Sequence, residues 1–237
     1  MHNVILFDLD GTLLPWDTDE FISKYFKDIT SYFKDMIEPE VFFKHFMHSI
    51  DIMMKNQGNM SNEEAFMNSF IPAIGKDKEA MYGHFFKFYE KEFPKLKSIA
   101  NYSSLPSRIV QNLVEKGYNI VLASNPVFPL SAMLERMSWV GVDKFPWRFI
   151  TTYENSYYCK PNINYYKDIC HILNVSPNNC LMIGNDVQDD MIASSIGMGT
   201  FLVTDYMIDR GNPQFKPNYQ GTLEDLYEFV KQMPDIK

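Results

Sequence analysis

Three cysteines in 237 residues are too few for a disulfide framework. Cys159, Cys170 and Cys180 form no C-x-x-C pair, so a reducing compartment, the cytoplasm, is expected. No apolar run approaches the roughly 18 residues of a membrane span. The opening stretch MHNVILFDLD has a short apolar run that ends in an acid, which does not read as a signal peptide. Positive charge is also scarce: 22 Lys and Arg stand against 30 Asp and Glu, for a formal net charge of −8. That balance argues against sequence-independent nucleic-acid binding and against an anionic membrane surface, both of which rely on clustered cations. A small anionic substrate stays open, because a bound metal can reverse the sign of a site locally. The chain carries no P-loop, no G-x-S-x-G elbow and no G-x-G-x-x-G after a strand.

Apolar residues are plentiful at 46%, and aromatics reach 15%, with 19 Phe and 14 Tyr. The length suits one core domain with a smaller insert. Val4 to Phe7 is a short apolar run ending in Asp8-Leu9-Asp10-Gly11-Thr12, the pattern of a buried strand and a tight turn. From Asp17 to about Lys95 the periodicity is helical: Phe21, Tyr25, Ile29 and Phe33 recur, then Phe42, Phe46, Ile50 and Met53. Breaks are expected near Glu38-Pro39, Gln57-Gly58 and Pro72 to Gly75. Beyond Pro106, strands expected at 119–123, 148–152, 180–183 and 200–203 alternate with helices at 107–116, 130–139, 162–173, 189–196 and 223–233. The Pro213/Pro217 stretch reads as a surface loop. The alternation implies an α/β, Rossmann-like parallel sheet with helices on both faces. The predicted organisation is a core of residues 1–16 and 97–237, with an all-helical cap at 17–96 inserted between them.

In an open parallel sheet, ligands bind beyond the carboxyl ends of the strands. Polar residues stand at such ends in four segments: Asp8/Asp10, Ser124/Asn125, Lys160 and Asn185/Asp186. Two acids directly after a buried strand concentrate negative charge that a hard cation would offset. Mg²⁺ suits them, being commonly held by one or two carboxylates with water and phosphate oxygens. Taken singly, each segment has a plainer reading: turn residues for Asp8 to Thr12, a helix cap for Ser124, a solvated loop for Lys160. Their convergence carries the functional one.

These residues resemble a known family. Asp8-Leu9-Asp10-Gly11-Thr12 is similar to the first motif of the haloacid dehalogenase-like (HAD) hydrolases. Ser124 after NIVLA resembles the second, Lys160 in CKPN the third, and Gly184-Asn185-Asp186 with Asp189-Asp190 the fourth. The helical insert resembles that family's first-position cap. The resemblance implies a Mg²⁺-dependent phosphatase in which Asp8 forms an aspartyl-phosphate and Asp10 is general acid and base. It implies metal ligation by Asp8, Asp10 through its backbone carbonyl, and Asp186. Phosphoryl binding would fall to Ser124, Asn125, Lys160 and the backbone about Gly11 and Thr12. An acid at position 10 favours phosphoryl chemistry, since the family's dehalogenases resemble the pattern with a non-acidic residue there. The fourth motif departs from the commonest form, Gly-Asp with a second acid four residues on. Asp186 with Asp190, or Asn185 with Asp189, both fit that spacing. Asp186 is preferred as the metal ligand, because a carboxylate suits Mg²⁺ better than an amide; Asp190 would then orient Lys160.

The expected substrate is a small phosphorylated metabolite. A phosphomutase at the same site is the nearest rival, and a non-catalytic binding protein on the same scaffold a remote one. His45 and His48 share a helix face without an evident third ligand, and Cys159 has no evident base partner. Lid movement would hinge near Pro15 to Thr18 and near Asn101 to Leu105. Oligomeric state is not legible.

Overall fold

The computed structural model describes residues 2–101 and 103–236. Strand β1 (Val4–Phe7) leads into four helices: α1 (Thr18–Phe33), α2 (Pro39–Met54), α3 (Asn62–Ile74) and α4 (Lys78–Lys91). A 3₁₀ segment, Phe93–Ile99, brings the chain back to α5 (Leu105–Glu115) and β2 (Asn119–Leu122). Then follow α6 (Leu130–Trp139), β3 (Phe149–Ile150), α7 (Ile163–Leu173), β4 (Cys180–Gly184), β5 (Gly199–Val203), β6 (Tyr219–Gly221) and α8 (Leu223–Gln232).

The six strands form one parallel sheet in the order β3-β2-β1-β4-β5-β6. Sequence patterning finds five of them. It misses β6, a three-residue edge strand whose side chains are largely exposed and too few to show a period. The helix expected at 189–196 is instead a 3₁₀ segment, Met191–Ile196. It starts late because Asp186 to Asp190 form a turn, in which the Asp190 N–H donates to the Asp186 carbonyl at 3.0 Å.

Strand β1 is buried along its whole length, as a central parallel strand covered on both faces must be. Ile5 and Phe7 face the layer that holds α5, α8 and the helical insert. Val4 and Leu6 face α7, among Tyr165, Tyr166 and Ile169. Phe7 is in register with Leu122 of β2 and Ile183 of β4. The residues that follow these three strands therefore emerge side by side. The chain leaves β1 toward β2 and returns on its other flank as β4, which makes that edge a topological switch point, the usual place for a ligand.

The insert begins with a side-chain cap: Asp17 accepts from the N–H groups of Asp19 and Glu20 at 2.9 and 3.0 Å. Pro39 opens α2, where its missing N–H costs nothing. Ser61 and Glu64 close a capping box on α3. That helix runs through Pro72 and stops at left-handed Gly75, so the glycine rather than the proline sets the break. The aromatic interior of the insert is continuous with the core. Trp16 stacks on Phe21 at 4.3 Å and meets Trp139 edge-on at 5.5 Å, while Phe93 stacks on Trp139 at 5.9 Å. Among the described residues, no helix is long and apolar enough to cross a membrane.

Candidate active site

A chamber of about 190 Å³ lies at the carboxyl edge of β1, β2 and β4, beneath α1. Asp8, Asp10, Ser124, Asn125, Lys160, Asp186 and Asp190 all border it, so residues separated by up to 182 positions of sequence meet in one place. The Asp8 N–H donates to the Ile183 carbonyl at 2.9 Å, and the Ala123 N–H to the Phe7 carbonyl at 2.7 Å. These ladder bonds anchor the Asp8 and Ser124 ends at the same level. The Ser124 carbonyl accepts from Thr151 Oγ1 and Tyr165 OH, both at 2.8 Å, which pins the main chain and leaves the hydroxyl at the chamber. Ser124 does not cap a helix: α6 begins six residues later, after Pro129.

Lys160 is 2% exposed and lies between two acids. Its Nζ is 2.9 Å from Asp8 Oδ1 and 2.6 Å from Asp190 Oδ1. Burial by itself would push the ammonium pKa down. The Asp190 and Asp8 carboxylates outweigh it and hold Lys160 well above the ordinary lysine value, so it stays charged. The other oxygen of Asp190 accepts from the Asp186 N–H at 3.0 Å. A side chain on Gly184 would collide with the Asp190 carboxylate, so the glycine that opens the fourth motif is what lets Asp190 pack against the strand end. Asp190 thus contacts Lys160. Asp189 turns toward Arg210, 3.8 Å away, and burial with Asp186 nearby pushes its carboxyl up to about 6.

Asn185 is committed elsewhere. Its Oδ1 accepts from Thr12 Oγ1 at 3.1 Å, and its Nδ2 donates to the Tyr206 carbonyl. Gly11 adopts φ +77°, and a Cβ there would strike the Asn185 amide. Gly11 and Thr12, expected at the phosphoryl group, do not border the chamber. The Gly11 N–H donates to the Leu14 carbonyl at 2.9 Å and the Thr12 N–H to the Leu9 carbonyl at 3.2 Å, so the turn itself consumes both donors. The N–H groups of Leu9 and Asp10 have no acceptor among the described residues.

Three residues that sequence patterning overlooked complete the site. Arg136, fully buried on α6, pairs with Asp10 Oδ2 and lies 4.4 Å from the Phe128 ring centre. Asp10 Oδ1 is buried without a partner. Burial raises the Asp10 pKa, Arg136 pulls it back, and Asp8 adds to the rise; the net direction is upward. The available clue was an arginine at helical spacing with Ala132, Met133 and Met137 on an otherwise apolar face. Arg210 comes from the loop before β6 and places its guanidinium on both oxygens of Asp186, at 2.7 and 2.8 Å. No periodic signal marks it. Asn62, the first residue of α3, is fully buried and donates to the Pro126 carbonyl at 3.1 Å and to Cys159 Sγ at 3.3 Å. It thereby ties the insert to the loops that carry Asn125 and Lys160. Burial pushes the Cys159 thiol up to about 12, so it stays protonated at neutral pH. Among the described residues no group of three or more His, Cys, Asp or Glu side chains is placed to hold a metal ion by side chains alone, His45 and His48 included.

A family model for haloacid dehalogenase-like hydrolases matches residues 2–197. This chain belongs to that family. No curated protein sequence matches it. Solved structures share its fold at low identity. A HAD phosphatase from Thermococcus onnurineus is 18% identical with a TM-score of 0.63, covering 100% of both chains. The L-2-haloacid dehalogenase of Xanthobacter autotrophicus, with chloropropionic acid covalently bound, is 12% identical at TM-score 0.59, covering 98% of this chain and 100% of its own. A HAD-type protein of Bacillus subtilis, YfnB, bound to magnesium, is 17% identical at TM-score 0.56, covering 97% and 98%. Phosphatases and dehalogenases both occur among these likenesses, so the fold leaves the choice of reaction to the site.

Proposed function

We propose that this HAD hydrolase is a phosphatase acting on a small phosphate monoester. The observation that carries the proposal is Asp10, a second carboxyl beside Asp8 whose pKa is raised by burial and whose orientation Arg136 holds. Such a group can keep a proton for a departing alkoxide, which a halide leaving group does not need.

In this reading an Asp8 carboxylate oxygen attacks phosphorus, the ester P–O bond breaks, and Asp10 delivers its proton to the leaving oxygen. Asp10, now ionised, takes a proton from the incoming water. That water displaces Asp8 from phosphorus and releases inorganic phosphate. Lys160 and the Ser124 hydroxyl hold phosphoryl oxygens, joined by the free N–H groups of the Leu9-Asp10 turn. Asp190 acts through Lys160, keeping it charged and aimed.

The donor set fits Mg²⁺. Asp8 and Asp186 with the Asp10 carbonyl are all oxygen donors, and two carboxylates are within what this ion ordinarily uses. Acidic side chains outnumber cationic ones here, Asp8, Asp10, Asp186, Asp189 and Asp190 against Lys160, Arg136 and Arg210, which suits a bound cation. When bound, the ion supplies positive charge that offsets the phosphoryl oxygens. A phosphomutase would have to hold a second phosphate at the far end of its substrate. A neighbouring cavity in the helical insert, walled by Phe46, Met53 and Phe85 among others, is lined without a single Lys or Arg, which favours simple hydrolysis.

Asp8→Asn tests the proposal. It should abolish Mg²⁺-dependent hydrolysis of p-nitrophenyl phosphate while the circular dichroism spectrum stays that of the parent. Parental activity in that variant would overturn the mechanism. Phosphate release without any added bisphosphate would separate a phosphatase from a mutase.

A further inference from the structure

A second cavity, of about 120 Å³, adjoins the catalytic chamber on the side of the helical insert. Ile22, Asn125, Val127 and Phe128 border both spaces and form the boundary between them. Beyond it the walls are Phe46, Ile50, Met53, Phe66, Phe85 and Tyr89, with two further methionines nearby. No charged side chain lines the cavity. Its polar groups are the Asn125 amide and three tyrosine hydroxyls, of which Tyr25 and Tyr89 bond each other at 2.8 Å.

We infer that the non-phosphate part of the substrate is an uncharged, mainly apolar group about the size of one aromatic ring, seated in this cavity while its phosphate lies on Asp8. The inference rests on the phosphatase reading and narrows it. The size follows from volume, since an engineered apolar cavity of ~150 Å³ admits benzene. The chemistry follows from desolvation. A carboxylate, ammonium or second phosphate placed here would lose its water with no ionic partner, and a polyhydroxylated sugar would leave most of its hydroxyls unpaired. A flat ring would instead meet aromatic edges and flexible methionine side chains that adapt to its outline. The position follows from adjacency. Asn125, whose Oδ1 accepts from the Lys160 backbone N–H at 3.2 Å, borders both spaces, so the cavity lies directly beside the loop that carries Lys160.

The test compares benzyl phosphate with glycerol 1-phosphate, two primary-alcohol esters of similar leaving-group basicity, using p-nitrophenyl phosphate as the control for turnover. The expected result is a kcat/KM at least about tenfold higher for benzyl phosphate, the scale on which hydrophobic pockets discriminate, expressed mainly in KM. Ile50→Trp, at a half-buried wall position, should drive that ratio toward one by filling the cavity. If the control is hydrolysed but the two esters are used equally, or the glycerol ester is preferred, the cavity is a packing void and the inference falls while the phosphatase reading stands. If the control itself is not hydrolysed, both fall.

Discussion

Two chambers share a wall in this molecule and have opposite character. One gathers five carboxylates and their cations at the carboxyl edge of the sheet; the other, beside it in the helices, is lined by aromatic and methionine side chains with no charge at all. In the first, each buried charge is kept by a specific partner: Lys160 between Asp8 and Asp190, Arg136 on Asp10. Removing one partner exposes the full desolvation penalty of the other. Around the second, stability comes from many weak contacts spread over the lining rings Phe46, Phe66 and Phe85 and over Phe42 and Phe70 packed behind them. Truncating any one of these costs stability in proportion to the void it leaves. In the proposed reading, chemistry is concentrated where individual atoms matter and selection among substrates where volume and polarity matter.

The contrast can be broken most forcefully at Lys160. Lys160→Met should lower kcat by about 10²–10³-fold and destabilise the fold by about 3–5 kcal/mol, because Asp8 and Asp190 lose their shared cation. Initial rates and urea unfolding measure both, and a variant close to parental in rate would place Lys160 outside the machinery. On the apolar side, Phe70→Ala should cost about 3–5 kcal/mol in the same unfolding experiment while the folded fraction keeps its kcat. Loss of kcat without loss of stability would reverse the contrast.

A finer test addresses pH. Arg136 favours the ionised form of Asp10, so Arg136→Met should raise that carboxyl further. In the proposed mechanism ester cleavage needs Asp10 protonated in the free enzyme. The alkaline limb of kcat/KM should therefore move to higher pH, by about one unit or more. A shift to lower pH would show that some other group is the acid. The smallest effects concern the cation at Asp186. Asp186→Ala should raise the Mg²⁺ concentration for half-maximal activity at least about tenfold, a cost seen even for groups that merely support a ligand. Arg210→Ala should lower it by no more than about fivefold, since a half-exposed ion pair is worth less than about 1 kcal/mol. A normal Mg²⁺ dependence in Asp186→Ala would move the metal ligand elsewhere.

Much of the fold was legible because its signals are local. The strand at Val4–Phe7 announces itself by a fully apolar run, and α1 and α2 by the spacing of their phenylalanines. Strand β6 was not legible, since three exposed residues at a sheet edge are recruited by pairing with β5 rather than by their own pattern. Asp8, Ser124, Lys160 and Asp186, picked out in the sequence at or near strand ends, line one chamber in the structure. Gly11 and Thr12 were recognised as part of the same segment, but their donors are spent on the turn, a matter of backbone geometry that residue types do not encode.

By itself, then, the sequence determined that the chain alternates strands and helices around a helical insert, that acids stand at strand ends, and that the chain resembles the hydrolase family to which it belongs. These are consequences of period, composition and short-range order along the chain. The tertiary structure alone decided which acid meets Lys160, that Arg136 and Arg210 are drawn to Asp10 and Asp186, and that an uncharged cavity adjoins the charged chamber. Those outcomes depend on which distant side chains are brought within a few ångströms and stripped of water. Electrostatic and packing energies depend steeply on that proximity.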